Sequence, residues 1–152
     1  MTEKLSTGFR NAQLNSQGFA QIFAAGVIAV YTGAQPATAD DAATGTLLGY
    51  ITKDGAAFVP GSPTNGLNWG AAAGGVISKN SDNWRLTGAA AGTAGWFRLM
   101  GNAADNGLAS TTLPRIDGAV ATSGGEINLT SLSIGIGSVT TIDTFTYAIP
   151  AQ

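Results

Sequence analysis

Nine carboxylates and seven Lys and Arg side chains are the charged groups of this 152-residue sequence, which has neither histidine nor cysteine. Without cysteine there is no disulfide framework, no thiolate metal site and no cysteine nucleophile. Without histidine the residue most used to move protons near neutral pH is missing, and with it the usual catalytic triads and most zinc sites. Any reaction must therefore rest on carboxylates or lysine. An acid-pair hydrolase needs two carboxylates held across a cleft. Asp117, Glu126 and Asp143 lie in or beside strand-like segments, but nothing in their spacing selects a pair. Lys4, Lys53 and Lys79 stand in polar surroundings, where burial cannot depress an amine's pKa enough to make it nucleophilic.

Ligand-binding patterns are equally sparse. Asn80, Asp82 and Asn83, and separately Asp40 with Asp41, offer oxygen atoms to calcium, yet neither set repeats the twelve-residue loop with its closing glutamate. Gly135-Ile136-Gly137 lacks the third glycine of a dinucleotide loop, and there is no Gly-Lys-Ser/Thr. The expectation is a chain with no catalytic residue, no cofactor and no metal, which is not an enzyme. Trp69, Trp84 and Trp96 have two readings: a stacking platform for sugars, or core residues of a small β domain. Asn128-Leu129-Thr130 matches a glycosylation acceptor, but the polar segment from Met1 to Arg10 is no secretory leader, and the match carries no weight.

The elements that would position these residues fall into two parts. Phe19, Ile22 and Phe23 recur at helical spacing, with Ser16 placed to cap and Gly26 placed to terminate, and Leu5 and Phe9 suggest an earlier turn. This predicts an N-terminal helical arm or cap over residues 1–26, helical from Lys4 to Ala25. It either closes one end of the core or docks on a neighbouring subunit. From Val27 the period changes to two, and short runs rich in Val, Ile, Thr and aromatics alternate with Gly, Asn, Asp and Pro. Strands are predicted at Val27–Thr32, Leu47–Thr52, Ala57–Val59, Val76–Ser78, Trp84–Thr87, Trp96–Met100, Arg115–Ala121, Ile127–Leu132 and Thr144–Ile149. The fold class is mainly β, a β-sandwich or jelly-roll-like domain over residues 27–152 with a short N-terminal helical segment.

Asp54-Gly55 fits a tight hairpin, and Asn65-Gly66 and Asn106-Gly107 are further turn signals. Trp96 and Phe97 project to opposite faces of their strand, so at least one of them is expected outside the main core, under a loop or in an interface, which hints at a second buried surface. Residues 33–46 and 102–114 are long polar connections, read as contact loops with Asp40 and Asp41 in the first.

Composition narrows the role. Charged residues make up 11% of the chain, against about 25% in ordinary soluble domains. Hydrophobic residues make up 44% and glycine occurs 22 times, which argues for a folded chain with a neutral, small-residue surface. The cations are scattered singly and form no stripe for phosphates, so no specific nucleic acid is expected. The longest apolar stretch, from Phe19 to Tyr31, is too short to cross a hydrocarbon layer of about 30 Å as a helix, so no membrane partner is expected either.

Several phrases of the sequence go together: LSTGFRNAQL, GVIAVYTGAQPATADDAATGTLLGYIT, GTAGWFRL, STTLPRIDGAV and FTYAIPAQ. In these, across most of its length, the chain resembles small structural proteins of tailed-bacteriophage virions. The resemblance implies a subunit of the particle, made in the host cytoplasm, whose partners are other virion proteins and copies of itself. A collar or neck ring or a capsid decoration is favoured over a tail component. It brings no active-site motif. Phe9, Phe19, Ile22, Phe23, Asp40, Asp41, Trp69 and Trp96 are the candidate interface residues, and a receptor- or glycan-binding module on the same particle is the alternative.

Overall fold

A computed structural model describes residues 3–151. The chain is mostly β, built on one large antiparallel sheet. At its centre lies β2 (Val27–Thr32), which pairs with β3 (Leu47–Lys53) on one side and β6 (Gly92–Met100) on the other. Beyond β3 come β5 (Trp84–Gly88) and the edge strand β10 (Val139–Ile142). Beyond β6 come β7 (Arg115–Ala121) and the two-residue β1 (Lys4–Leu5). Two short strands attach laterally, β8 (Ile127–Asn128) running parallel to β7 and β9 (Ser133–Ile134) against the start of β6. A separate ribbon pairs β4 (Val76–Ser78) with β11 (Thr146–Ala148). Together with helices α1 (Thr7–Asn15) and α2 (Phe19–Ile22), this ribbon contributes to the core on one face of the large sheet, giving a sandwich-like arrangement.

The central strand explains the layering. Its run Val-Ile-Ala-Val-Tyr is apolar without alternation because both of its faces are covered, and all five side chains are buried. Ile28 and Val30 point into the main core with Phe97, Leu99, Ile116, Ile51 and Leu86. Val27, Ala29 and Tyr31 point the other way and join Trp96 and Met100 in a second cluster. Trp96 and Phe97 thus divide between two buried faces, as their adjacency requires.

The N-terminal segment is two helices where one was expected. Ser6 caps α1: its Oγ accepts the Phe9 N–H at 3.1 Å, accepts the Arg115 N–H at 2.8 Å and donates to the Leu113 carbonyl at 3.0 Å. Ser16 ends this helix and does not begin the next. Gly18 begins α2, with the Gln21 side chain accepting the Gly18 N–H. Lys4 and Leu5 are extended and pair with Asp117 and Ile116. Phe9, Phe19, Ile22 and Phe23 enter the same core as the sheet, where Phe19 stacks on Tyr147 with ring centres 4.4 Å apart and Phe9 lies 5.2 Å from Phe23.

Residues 57–59 form no strand. Asp54 and Gly55 do make a tight turn, with φ of 56° and 72°, but the chain leaving it runs as a loop back to Asn65, whose amide donates to the Ala57 carbonyl. The expected strand at 127–132 shortens to β8, and that at 144–149 to β11.

Candidate functional site

The second face of the sheet is where charge is concentrated. Alternation along β6 and β7 places Arg98, Arg115 and Asp117 on this side, and Arg98 stands opposite Asp117 in register. Arg98 binds the Asp117 carboxylate through Nε at 2.7 Å and Nη2 at 2.8 Å, and both side chains are fully buried. Arg115 makes the same forked pair with Asp105, at 2.7 and 2.6 Å. Burial pushes the Asp117 carboxyl up from its ordinary value, and the bonds and charge of Arg98, followed by the charges of Arg115 and Lys4, oppose that rise. Arg98 also lies over the Trp96 ring, 5.4 Å from its centre.

These cations hold the two long loops. Arg98 Nη2 donates to the Asp41 carbonyl at 3.1 Å, and Arg115 Nη2 to the Leu108 carbonyl at 2.8 Å. The Trp96 indole donates to the Thr44 carbonyl at 3.2 Å. The loops also bind one another, through Ala43 N–H to the Gly107 carbonyl and Ser110 N–H to the Asp40 carbonyl, both at 2.8 Å. Asp40 reaches in the other direction, its carboxylate accepting the Thr7 N–H at 2.8 Å and the Thr7 hydroxyl at 2.6 Å, which ties the loop to the start of α1.

Most residues singled out by chemistry are engaged structurally. Asp117 is the partner of Arg98. Glu126 accepts the Ala119 N–H at 2.7 Å, and Asp143 is exposed. The oxygen cluster at residues 80–83 is occupied by the chain's own cation, because Lys79 Nζ donates to the carbonyls of Asn80 at 3.0 Å and Asp82 at 2.8 Å. The Asn80 side chain in turn donates to the Asp82 carboxylate, and that bond, with Lys53 close by, holds its pKa below the ordinary value despite a small opposing effect of burial. No group of three or more acidic side chains within reach of one metal ion occurs among the described residues.

The interface candidates separate. The chain buries Phe9, Phe19, Ile22, Phe23 and Trp96 in its own clusters, so their side chains are not offered at the surface. Trp69 is half-buried, its indole donating to the Phe23 carbonyl at 3.0 Å, and it packs edge-on against Trp84. Asp41 is exposed, its carboxylate accepting from the Thr38 N–H and hydroxyl, which lower its pKa. The three tryptophans form no sugar platform, since Trp84 and Trp96 are buried and only Trp69 reaches the surface.

What the surface does offer is a set of large apolar side chains: Leu14 on α1, Leu108 on the second loop, Ile136 before β10 and Val139 on it. Between the loops and the sheet, Tyr50, Met100, Asp105 and Asn106 line two adjoining hollows of about 200 and 370 Å³, extended by Phe58 on one side and Tyr31 on the other. Neither Leu108 nor Tyr50 stood out in the sequence, where a lone apolar residue in a loop or strand is ordinary. The Arg98–Asp117 pair was legible in principle, because both residues interrupt otherwise apolar strands. No family model, curated protein or solved structure matches the chain.

Proposed function

We propose that the chain is a non-enzymatic structural subunit that works by packing against other protein subunits and copies of itself, and that its setting is a tailed-phage particle, as a collar, neck or decoration protein. One observation carries the packing role: two long loops, residues 33–46 and 102–114, are tied to the sheet by two Arg–Asp bridges, Arg98 with Asp117 fully buried and Arg115 with Asp105 nearly so, and the second loop presents Leu108 at 62% exposure. A polar loop that only connects strands needs no such anchoring. Pre-ordering a contact loop lowers the entropy lost on docking, about 0.5–1.5 kcal/mol for each side chain immobilised. The neutral, small-residue surface suits burial against several neighbours. The phage setting rests on the sequence resemblance alone.

Light scattering on the purified protein, followed by negative-stain images, tests the self-packing. A ring or stable oligomer is expected, and Leu108→Asp shifts it toward monomer. Oligomers unaffected by Leu108→Asp would remove the loop from the contact.

A second reading, a glycan-binding module, is favoured by the hollows around Tyr50. This ring is 40% exposed, and Asn106 and Phe58 stand beside it, a combination of apolar face and amide suited to a sugar. Absence of binding on a glycan array at about 1 mM protein, where weak sites still register, would end it.

A further inference from the structure

Asn65-Gly66 and Asn106-Gly107 are the two Asn-Gly pairs of the chain, and the fold treats them in opposite ways. In such a pair the backbone nitrogen of the glycine can attack the side-chain amide carbon of the asparagine, because glycine brings no Cβ to hinder the approach. At Asn65 the fold blocks this. The Asn65 amide donates to the Ala57 carbonyl at 2.9 Å, and its main-chain carbonyl accepts the Lys53 N–H at 3.0 Å. Gly66 is buried against the Ala25 backbone, whose carbonyl oxygen lies 2.3 Å from where a Cβ would stand. Neither group can move toward the other without breaking these contacts.

At Asn106 the contacts favour the attack. The residue is exposed to water on the loop 102–114, and its side chain is held only through its oxygen among the described residues. That oxygen accepts the Leu108 N–H at 3.1 Å, so a donor already faces the atom on which charge develops when the amide carbon is attacked. The same bond turns the side chain forward along the chain, alongside the Gly107 nitrogen. The Gly107 N–H donates to the Asp105 carboxylate at 2.8 Å, within the reach required of a general base. Asp105 is itself fixed by Arg115, at 2.7 and 2.6 Å. Gly107 has a φ of 77° and no neighbour closer than 3.7 Å to where a Cβ would stand, so the turn is not crowded. Nucleophile, electrophile, base and oxyanion donor are thus held together by the fold, as a reaction without an external catalyst requires.

We infer that Asn106 is a self-modification site, at which the folded chain converts its own asparagine to aspartate and isoaspartate. The Gly107 nitrogen bonds to Asn106 Cγ, and its proton passes through the Asp105 carboxylate to the departing Nδ2. The Cγ–Nδ2 bond breaks and ammonia leaves. Water then opens the cyclic imide: cleavage at Cγ gives aspartate, and cleavage at the main-chain carbonyl gives isoaspartate, with the backbone rerouted through the side chain. Water is the only co-reactant, and nothing is oxidised or reduced. Either product sets a new carboxylate beside Asp105, where it competes for Arg115 and lines both hollows around Tyr50. The change is one-way and loosens the loop that presents Leu108. This consequence for docking, unlike the chemistry, rests on the packing role proposed above.

The test incubates the full chain at neutral pH, folded and in urea, in water enriched in heavy oxygen, and maps the peptides by mass spectrometry. The label separates conversion during incubation from conversion during digestion. In the folded chain, position 106 should exchange NH2 for labelled OH at least about tenfold faster than position 65, with isoaspartate among the products. In urea, where both sets of contacts are gone, the two positions should convert at similar rates. Asn106→Gln, whose longer side chain misplaces the amide carbon, should stay unconverted with an unaltered circular dichroism spectrum. Equal rates at the two positions in the folded chain, aspartate without isoaspartate, or slower conversion of Asn106 in the folded chain than in urea overturns the inference. Light scattering on fresh and converted chain reads the consequence, a shift toward monomer. Association that conversion leaves unchanged but Leu108→Asp dissolves would overturn the loosening of the contact. An absence of oligomer in the fresh chain removes the packing role and that consequence with it, while the mass measurement still decides the chemistry.

Discussion

Removing Asp117 tests whether the second face of the sheet is as dry and as tightly held as its geometry implies. Asp117→Ala leaves the Arg98 guanidinium fully buried with the Asp41 carbonyl as its remaining hydrogen-bond acceptor among the described residues. Breaking a buried pair from one side costs about 3–5 kcal/mol, because a desolvated charge is left uncompensated. For a domain near 150 residues each kcal/mol moves the melting temperature by about 2–4 °C, so the variant should melt about 6–20 °C lower. The double variant Arg98→Met with Asp117→Leu removes both charges, keeps apolar volume, and should recover most of that loss. The assay is thermal or urea unfolding of the three proteins at one pH and salt concentration. Limited proteolysis adds a local readout, since the loop that Arg98 holds through Asp41 should become cleavable in the single variant. A loss below about 1 kcal/mol, the scale of a solvent-exposed pair, would refute the reasoning.

Three further outcomes follow from other contacts. Gly8→Ala, which at an ordinary helix position adds about 0.5–1 kcal/mol of stability, should destabilise here, because its Cβ would lie 2.4 Å from the Thr112 carbonyl oxygen; thermal melts read the sign. Phe19→Asp and Phe23→Asp should each unfold the isolated chain, seen as lost ellipticity, since both rings sit in the main core and not on a free arm. Glu3 has a pKa raised in the fold, so its protonated form favours folding: the stability it contributes is present below its unfolded value near 4.5 and is lost as pH rises through the folded value. Glu3→Gln should therefore flatten the fall in stability across that window, measured as denaturation midpoints from pH 4 to pH 7.

The strands were legible where burial imposes a pattern. β2, β4 and β7 have the bounds that alternation and apolar runs suggest, and the split of Trp96 from Phe97 into two clusters follows from their adjacency alone. Ala57–Val59 looked like the return arm of a hairpin because Asp54-Gly55 is a good tight turn; a turn fixes the local φ angles but not where the departing chain finds partners, and Lys53 to Gly49 pair with β5 instead. The N-terminal helices were mis-set because Ser6 and Ser16 are equally good caps in isolation. Only the tertiary bonds of Ser6 to residues 113 and 115 select between them. Asp40 was noticed as an acid in a loop, yet its role depends on Thr7, far away in sequence.

The most direct measurement of the central claim, the proposal that the chain is a subunit of a tailed-phage particle, is quantitative mass spectrometry of particles purified from a phage whose genome carries this sequence, compared with particles made after the gene is deleted. The account predicts many copies in each intact particle, and unstable or incompletely assembled particles without it. A chain absent from purified particles, with assembly and stability unchanged on deletion, would contradict it.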